Sequence, residues 1–127
     1  MAVKKILSQF DGAAYAALRI VLAFLYWSHG VRWLFGPKPA PMLSLLWFAG
    51  VIETICGTLM GVGLWTSCAA FLASGEMAVA YFRVHFPRGL MPIQNGGEIT
   101  VALCFGFLYL ATHGSGTFSL DRLRGKK

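Results

Sequence analysis

Apolar residues fall into four long stretches, residues 13–35, 42–63, 67–86 and 97–113, parted by short breaks rich in proline, glycine or charge. Each is close to the roughly 20 residues an α-helix needs to cross a bilayer core. The first break, Phe35-Gly36-Pro37-Lys38-Pro39-Ala40-Pro41, cannot continue a helix, because its prolines lack N–H donors and restrict their neighbours. The second, Leu64-Trp65-Thr66, is short enough to be a tight hairpin turn, and Pro87, Gly89 and Pro92 interrupt the third. Ahead of the first stretch, Ile6, Leu7 and Phe10 suit a segment lying along the membrane interface. Behind the last, Ser119 is placed to cap a short interfacial helix. The pattern predicts an all-α integral membrane protein, an antiparallel four-helix bundle forming a single domain over residues 1–127.

Within each stretch a helical period picks out one stripe. The first carries Arg19, Leu22, Tyr26, His29 and Trp33, a stripe expected to face protein, with Arg19 near enough to one end to snorkel to the interface. The second carries Gly50, Thr54, Gly57 and Gly61, small residues that let a neighbouring helix approach closely. The third carries Ala69, Ala73, Glu76, Ala80 and Arg83, and the fourth Glu98, Ala102, Phe105, Tyr109 and Thr112.

Composition agrees with the pattern. With 57% hydrophobic and 13% charged residues, too little polar surface exists to cover a soluble globule. The net charge of +6 comes largely from the two ends, Lys4 and Lys5 before the first span and Arg122, Arg124, Lys126 and Lys127 after the last, outside any fold that grips nucleic acid. By the positive-inside rule both termini of this multi-pass protein are cytoplasmic. Cys56, Cys68 and Cys104 have no pairing or zinc spacing, and the histidines have no HxxxH or HxxE spacing, so no metal site is expected.

The ionisable residues supply the candidate chemistry. Glu53 and Glu76 lie mid-span at similar depth, poised to share a proton unless Arg19 or Arg83 neutralises them. Above them, by depth, come His29 and Arg32, then Arg83 and His85, then Glu98 at a helix start where the dipole favours a carboxylate. A polar cavity lined by Tyr26, Trp33, Trp47, Tyr81 and Phe82 and open to the outer leaflet suits an aromatic head group with two carbonyls. The competing interpretation is that arginines and glutamates form ion pairs that only fix helix register.

Leu18-Arg19-Ile20 with His29-Gly30 and Gly36, Glu53 with Gly57, His85-Phe86-Pro87 with Gly89, Asn95-Gly96-Gly97-Glu98 and Ser119-Leu120-Asp121 follow one another in an order that resembles the DoxX family over roughly residues 16–121. The resemblance implies a four-helix inner-membrane protein, some of whose relatives are linked to quinone-coupled oxidation of sulfur compounds or to quinone and oxidative-stress responses. Carried over residue by residue, it marks His29, Glu53, His85 and Glu98 as polar family positions, with Arg32 keeping a positive charge where relatives often have lysine.

Together these observations lead to the expectation of a membrane subunit or quinone-docking module of an oxidoreductase system. His29, Glu53, Glu76, His85 and Glu98 would be catalytic, and Tyr26, Arg32, Trp33, Arg83 and Asn95 would bind the ligand. A quinone is the ligand the resemblance implies; because the chain has no flavin, haem or iron–sulfur motif of its own, a redox partner protein or homo-oligomer is the expected companion, within the lipid bilayer and without nucleic acid. The alternative is a non-enzymatic membrane scaffold or assembly factor that recruits proteins through an exposed GxxxG face.

Overall fold

A computed structural model describes residues 1–125; the basic pair Lys126 and Lys127, counted above toward topology, lies outside the described residues. The chain forms α1 (Ala2–Ser8), α2 (Asp11–Phe35), α3 (Leu45–Val62), α4 (Thr66–Ala80), a π-helical turn Tyr81–His85, a 3-10 turn Phe86–Arg88, α5 (Pro92–Asn95), α6 (Glu98–His113) and α7 (Leu120–Leu123). Helices α2 and α3 are long and apolar enough to cross a membrane.

The helix ends follow local chemistry. Ser44 caps α3 by accepting from the Trp47 amide at 3.2 Å. The proline-rich break folds back so that the Ala40 amide donates to the Trp33 carbonyl at 2.7 Å. Gly63 ends α3 with φ 75°, a left-handed conformation in which a side chain would be strained and would also run into Ser119. Ser119 caps α7, as its position predicts, by accepting from the Arg122 amide at 3.2 Å.

Packing pairs α2 with α3 and α4 with α6, and α3 with α4 joins the pairs. The α2–α3 seam depends on glycine. A Cβ at Gly57 would sit 2.8 Å from the Trp27 Cβ, and one at Gly30 would sit 2.7 Å from the Thr54 amide nitrogen. The GxxxG stripe is therefore covered by the chain's own α2, with Gly57 buried and Gly61 half-buried. In the second pair the small residues Ala69, Ala70 and Ala73 of α4 and the large Leu103, Phe107 and Leu110 of α6 belong to one buried cluster. Tyr26 reaches across from α2 to meet Phe107 edge-to-face at 4.8 Å between ring centres.

The faces differ in part from those the periodicity suggests. On α2, Arg19 and Tyr26 are buried as expected, but Ala23 and Gly30 join them where Leu22 and His29 were expected, and His29 is exposed. On α6 the stripe Glu98, Ala102, Phe105, Tyr109 and Thr112 faces away from the protein, while Thr100, Leu103, Phe107 and Leu110 face in. Lipid is as apolar as a protein core, so hydrophobic period locates a stripe without saying which side it faces.

Arg19 also departs from expectation. It is fully buried rather than extended outward; Nε donates to the Met60 carbonyl at 2.9 Å, Nη1 to Ser115 and Thr117 carbonyls, and Nη2 to Phe118 at 2.7 Å. The end of α3 and the segment after α6 offer carbonyls with acceptor capacity to spare, Met60 already holding the Gly63 amide at 3.2 Å, and one guanidinium takes several of them. Beside it, Asp121 Oδ2 accepts from the Trp65 amide at 2.9 Å and from Ser115 Oγ at 2.8 Å. These bonds hold Trp65 at φ 52°, a conformation costly for a residue with a Cβ.

Candidate functional site

Two polar clusters emerge between the helices. The deeper one joins three of them. Tyr26 of α2, fully buried, donates its phenol proton to Glu76 Oε1 of α4 at 2.8 Å. Glu53 of α3 is a second buried carboxyl close enough to Glu76 to interact with it electrostatically. Two carboxyl groups this close in a dry interior cannot both carry a charge cheaply. Glu53 is 5% exposed, and its Oε1 has no hydrogen-bond partner among the described residues. That is an orphaned acceptor facing the interior, where a bare charge is costly. Among the described residues no arginine forms an ion pair with either glutamate. Arg19 spends its donors on carbonyls, and Arg83 is exposed. The ion-pair interpretation of the buried charges therefore finds no support in this geometry.

The second cluster lies where α4 gives way to the Pro87–Gly96 break. His85 Nδ1 lies 3.3 Å from the Asn95 carbonyl and Nε2 lies 3.3 Å from Thr100 Oγ1 of α6. The Asn95 side chain, 2% exposed, donates to Tyr81 Oη and to the Gly89 carbonyl, each at 3.0 Å, and accepts from the Gly97 amide at 2.8 Å. The π turn Tyr81–His85 sets this face. A wider turn displaces every later side chain around the axis, so His85 meets α6 while Arg83, which a continuous α-helix would align with Glu76, is turned outward.

Of the residues expected to form the site, the structure joins Tyr26, Glu53 and Glu76 in one cluster and His85 and Asn95 in another. It does not bring His29, Arg32, Arg83 and Glu98 into either; all four are exposed, and Arg32 lies 4.6 Å from the ring centre of half-buried Trp33. Depth along a helix gave their height, whereas helix rotation decided their direction. Thr100 and Tyr81 are polar partners that sequence reasoning did not assign a bonding role. The signal for Thr100 was its position two residues after Glu98, on the opposite side of α6. A shallow groove of about 480 Å³ runs along Ala78, Val79, Phe82 and Arg83, starting just past Glu76 on the same helix. Its lining is apolar, with one guanidinium at the rim.

No solved structure matches the chain. A Haemophilus influenzae protein described as uncharacterized is 39% identical over 123 residues, covering 88% of this chain and 91% of its own length. The DoxX family model matches residues 14–86, the stretch that holds Tyr26, Glu53, Glu76 and His85, while Asn95, Glu98 and Ser119 to Asp121 fall beyond it. A helical membrane protein by its apolar helices and its relatives, the chain belongs to the DoxX family.

Proposed function

We propose that this protein is the membrane-embedded, quinone-docking component of an oxidoreductase system. In this proposal its four long helices form one antiparallel bundle that crosses the inner membrane four times, with both termini in the cytoplasm. The observation that supports the proposal is the Tyr26, Glu76 and Glu53 cluster, buried carboxyl groups with an unpartnered oxygen on Glu53 and no arginine ion pair among the described residues, which would serve as a proton store. Reduction of a quinone takes up protons together with electrons, and oxidation of a quinol releases them. A membrane component of that chemistry needs a carrier for the protons. The electrons would pass through a partner protein, since a side-chain carboxyl pair carries none.

The groove beside α4 fits a lipophilic ring. It is shallow, its walls Ala78, Val79 and Phe82 are apolar, and Arg83 would donate to a ring carbonyl. A bound quinone would supply the two-electron acceptor. Glu76, on the groove's own helix, would hold or release a proton, with Tyr26 orienting its carboxyl group and Glu53 receiving the proton behind it. His85 and Asn95 would fix the adjoining break, and His29, Arg32, Trp33 and Glu98 would stand at the outer rim. The scaffold alternative loses its named surface, because α2 already occupies the Gly57 and Gly61 stripe.

The test is mass spectrometry of lipids that copurify with the full chain in mild detergent. Quinone should be enriched over bulk membrane, lost in Arg83→Gln, and kept in Glu76→Gln while quinone-dependent turnover in membranes falls. The double change His29→Ala with Glu98→Gln measures what the rim contributes. No enrichment in folded wild-type protein would overturn the proposal.

A further inference from the structure

At the opposite end of the molecule from the Pro87–Gly96 break, a second groove of about 450 Å³ is lined by Val62, Phe118, Ser119, Leu120, Arg122 and Leu123. Its walls come from the last turn of α3 and from the segment that follows α6. They are locked together: the Asp121 amide donates to the Gly63 carbonyl at 2.9 Å, and Arg19 Nη2 holds the Phe118 carbonyl at 2.7 Å. The left-handed Phe118, φ 53°, turns its ring outward, leaving it 75% exposed, and Leu123 is 83% exposed. The groove is thus preformed, with a fixed frame and an apolar lining.

Its charge is one-sided. Arg122 stands in the lining and forms no ion pair among the described residues. The acidic neighbour Asp121 is turned inward, 4% exposed, with Oδ2 on the Trp65 amide and Ser115, and its Oδ1 lies 3.6 Å from Arg124 rather than Arg122. Lys4 and Lys5, on the helix that leads into α2, add positive charge at this same end. A second copy of the chain docking here would bring like charges together, and a free anion would leave the apolar walls uncovered.

We propose that this groove is a binding site for an anionic phospholipid, with the phosphate on Arg122 and an acyl chain along Val62, Leu120 and Leu123. The site is separate from the quinone groove and stands whether or not that proposal does. It predicts a fixed lipid at this end rather than an exchanging annulus, because the walls do not have to form on binding.

Native mass spectrometry of the full chain in detergent, with equal phosphatidylglycerol and phosphatidylcholine, tests it. Wild-type protein should retain phosphatidylglycerol in preference. Arg122→Gln should weaken that retention about fivefold, in line with the worth of one basic residue at an anionic surface. Val62→Phe, which fills the groove, should lower retention of both lipids, and circular dichroism of each variant confirms that it is folded. Equal retention of the two lipids by wild type, an unchanged preference in Arg122→Gln, or equal stabilisation by inorganic phosphate alone would each overturn the assignment.

Discussion

The phenol of Tyr26, on α2, donates a 2.8 Å hydrogen bond to Glu76, on α4, and so ties the α2–α3 pair to the α4–α6 pair through a carboxyl group. Cross-helix hydrogen bonds in membrane proteins are worth about 0.6 kcal/mol on average and about 1.7 at most. Tyr26→Phe keeps the ring against Phe107 and removes only this bond. Because Tyr26 is fully buried, we expect a loss near the upper figure, about 1–2 kcal/mol, in denaturant titration of the protein in micelles.

A proton held on the buried carboxyl pair would make it chemically distinct. Dicyclohexylcarbodiimide adds to protonated carboxyl groups in apolar surroundings, and it should label Glu53 or Glu76 of wild-type protein at neutral pH. Exposed Asp11 and Glu98 should stay unlabelled. Glu53→Gln together with Glu76→Gln should abolish the mass increase. Labelling that persists in this variant would show that the proton is held elsewhere.

Arg19 provides the largest expected loss of stability. Arg19→Met keeps the length of the side chain but strips the Ser115, Thr117 and Phe118 carbonyls of their guanidinium donor and leaves Met60 only the Gly63 amide. Unsatisfied buried polar groups cost about 1–3 kcal/mol each, so a total above about 3 kcal/mol is expected. The yield of folded protein after detergent extraction, with Arg19→Lys as the partial rescue, measures it.

Two glycines should respond in opposite ways. A Cβ at Gly57 would meet the Trp27 Cα at 3.0 Å, which is backbone that cannot swing aside, so Gly57→Ala should part the helices at a cost of about 1–3 kcal/mol. Gly75 has nothing within 4 Å of an added Cβ. Gly75→Ala should leave stability unchanged or raise it by up to about 1 kcal/mol through helix propensity. Thermal unfolding of both variants checks the pair.

Asn95 fastens the break between α4 and α6 through Tyr81, Gly89 and Gly97. Asn95→Ala should therefore speed hydrogen exchange at the Gly97 amide and its neighbours by at least about tenfold, the effect of about 1.4 kcal/mol of lost local stability. Exchange at α2 and α3 should be unaffected.

The sequence by itself determined where the chain must break between its long helices. Proline and glycine at the breaks, Ser119 at its cap and the length of each apolar stretch all act within a few residues of the chain, so they need no tertiary information. It also determined that Glu53 and Glu76 share a depth, because a tight turn at Leu64-Trp65-Thr66 places equal distances along two helices side by side. Only the tertiary structure decided which way each stripe turns. In a membrane the outward face is as apolar as the inward one, so Phe105 and Phe107 look alike in sequence though one is exposed and the other meets Tyr26. The π turn that exchanges Arg83 for His85 and the carbonyls that gather around Arg19 depend on segments distant in the chain. Those contacts come from helix rotation and from where the chain crosses itself, which local pattern does not encode.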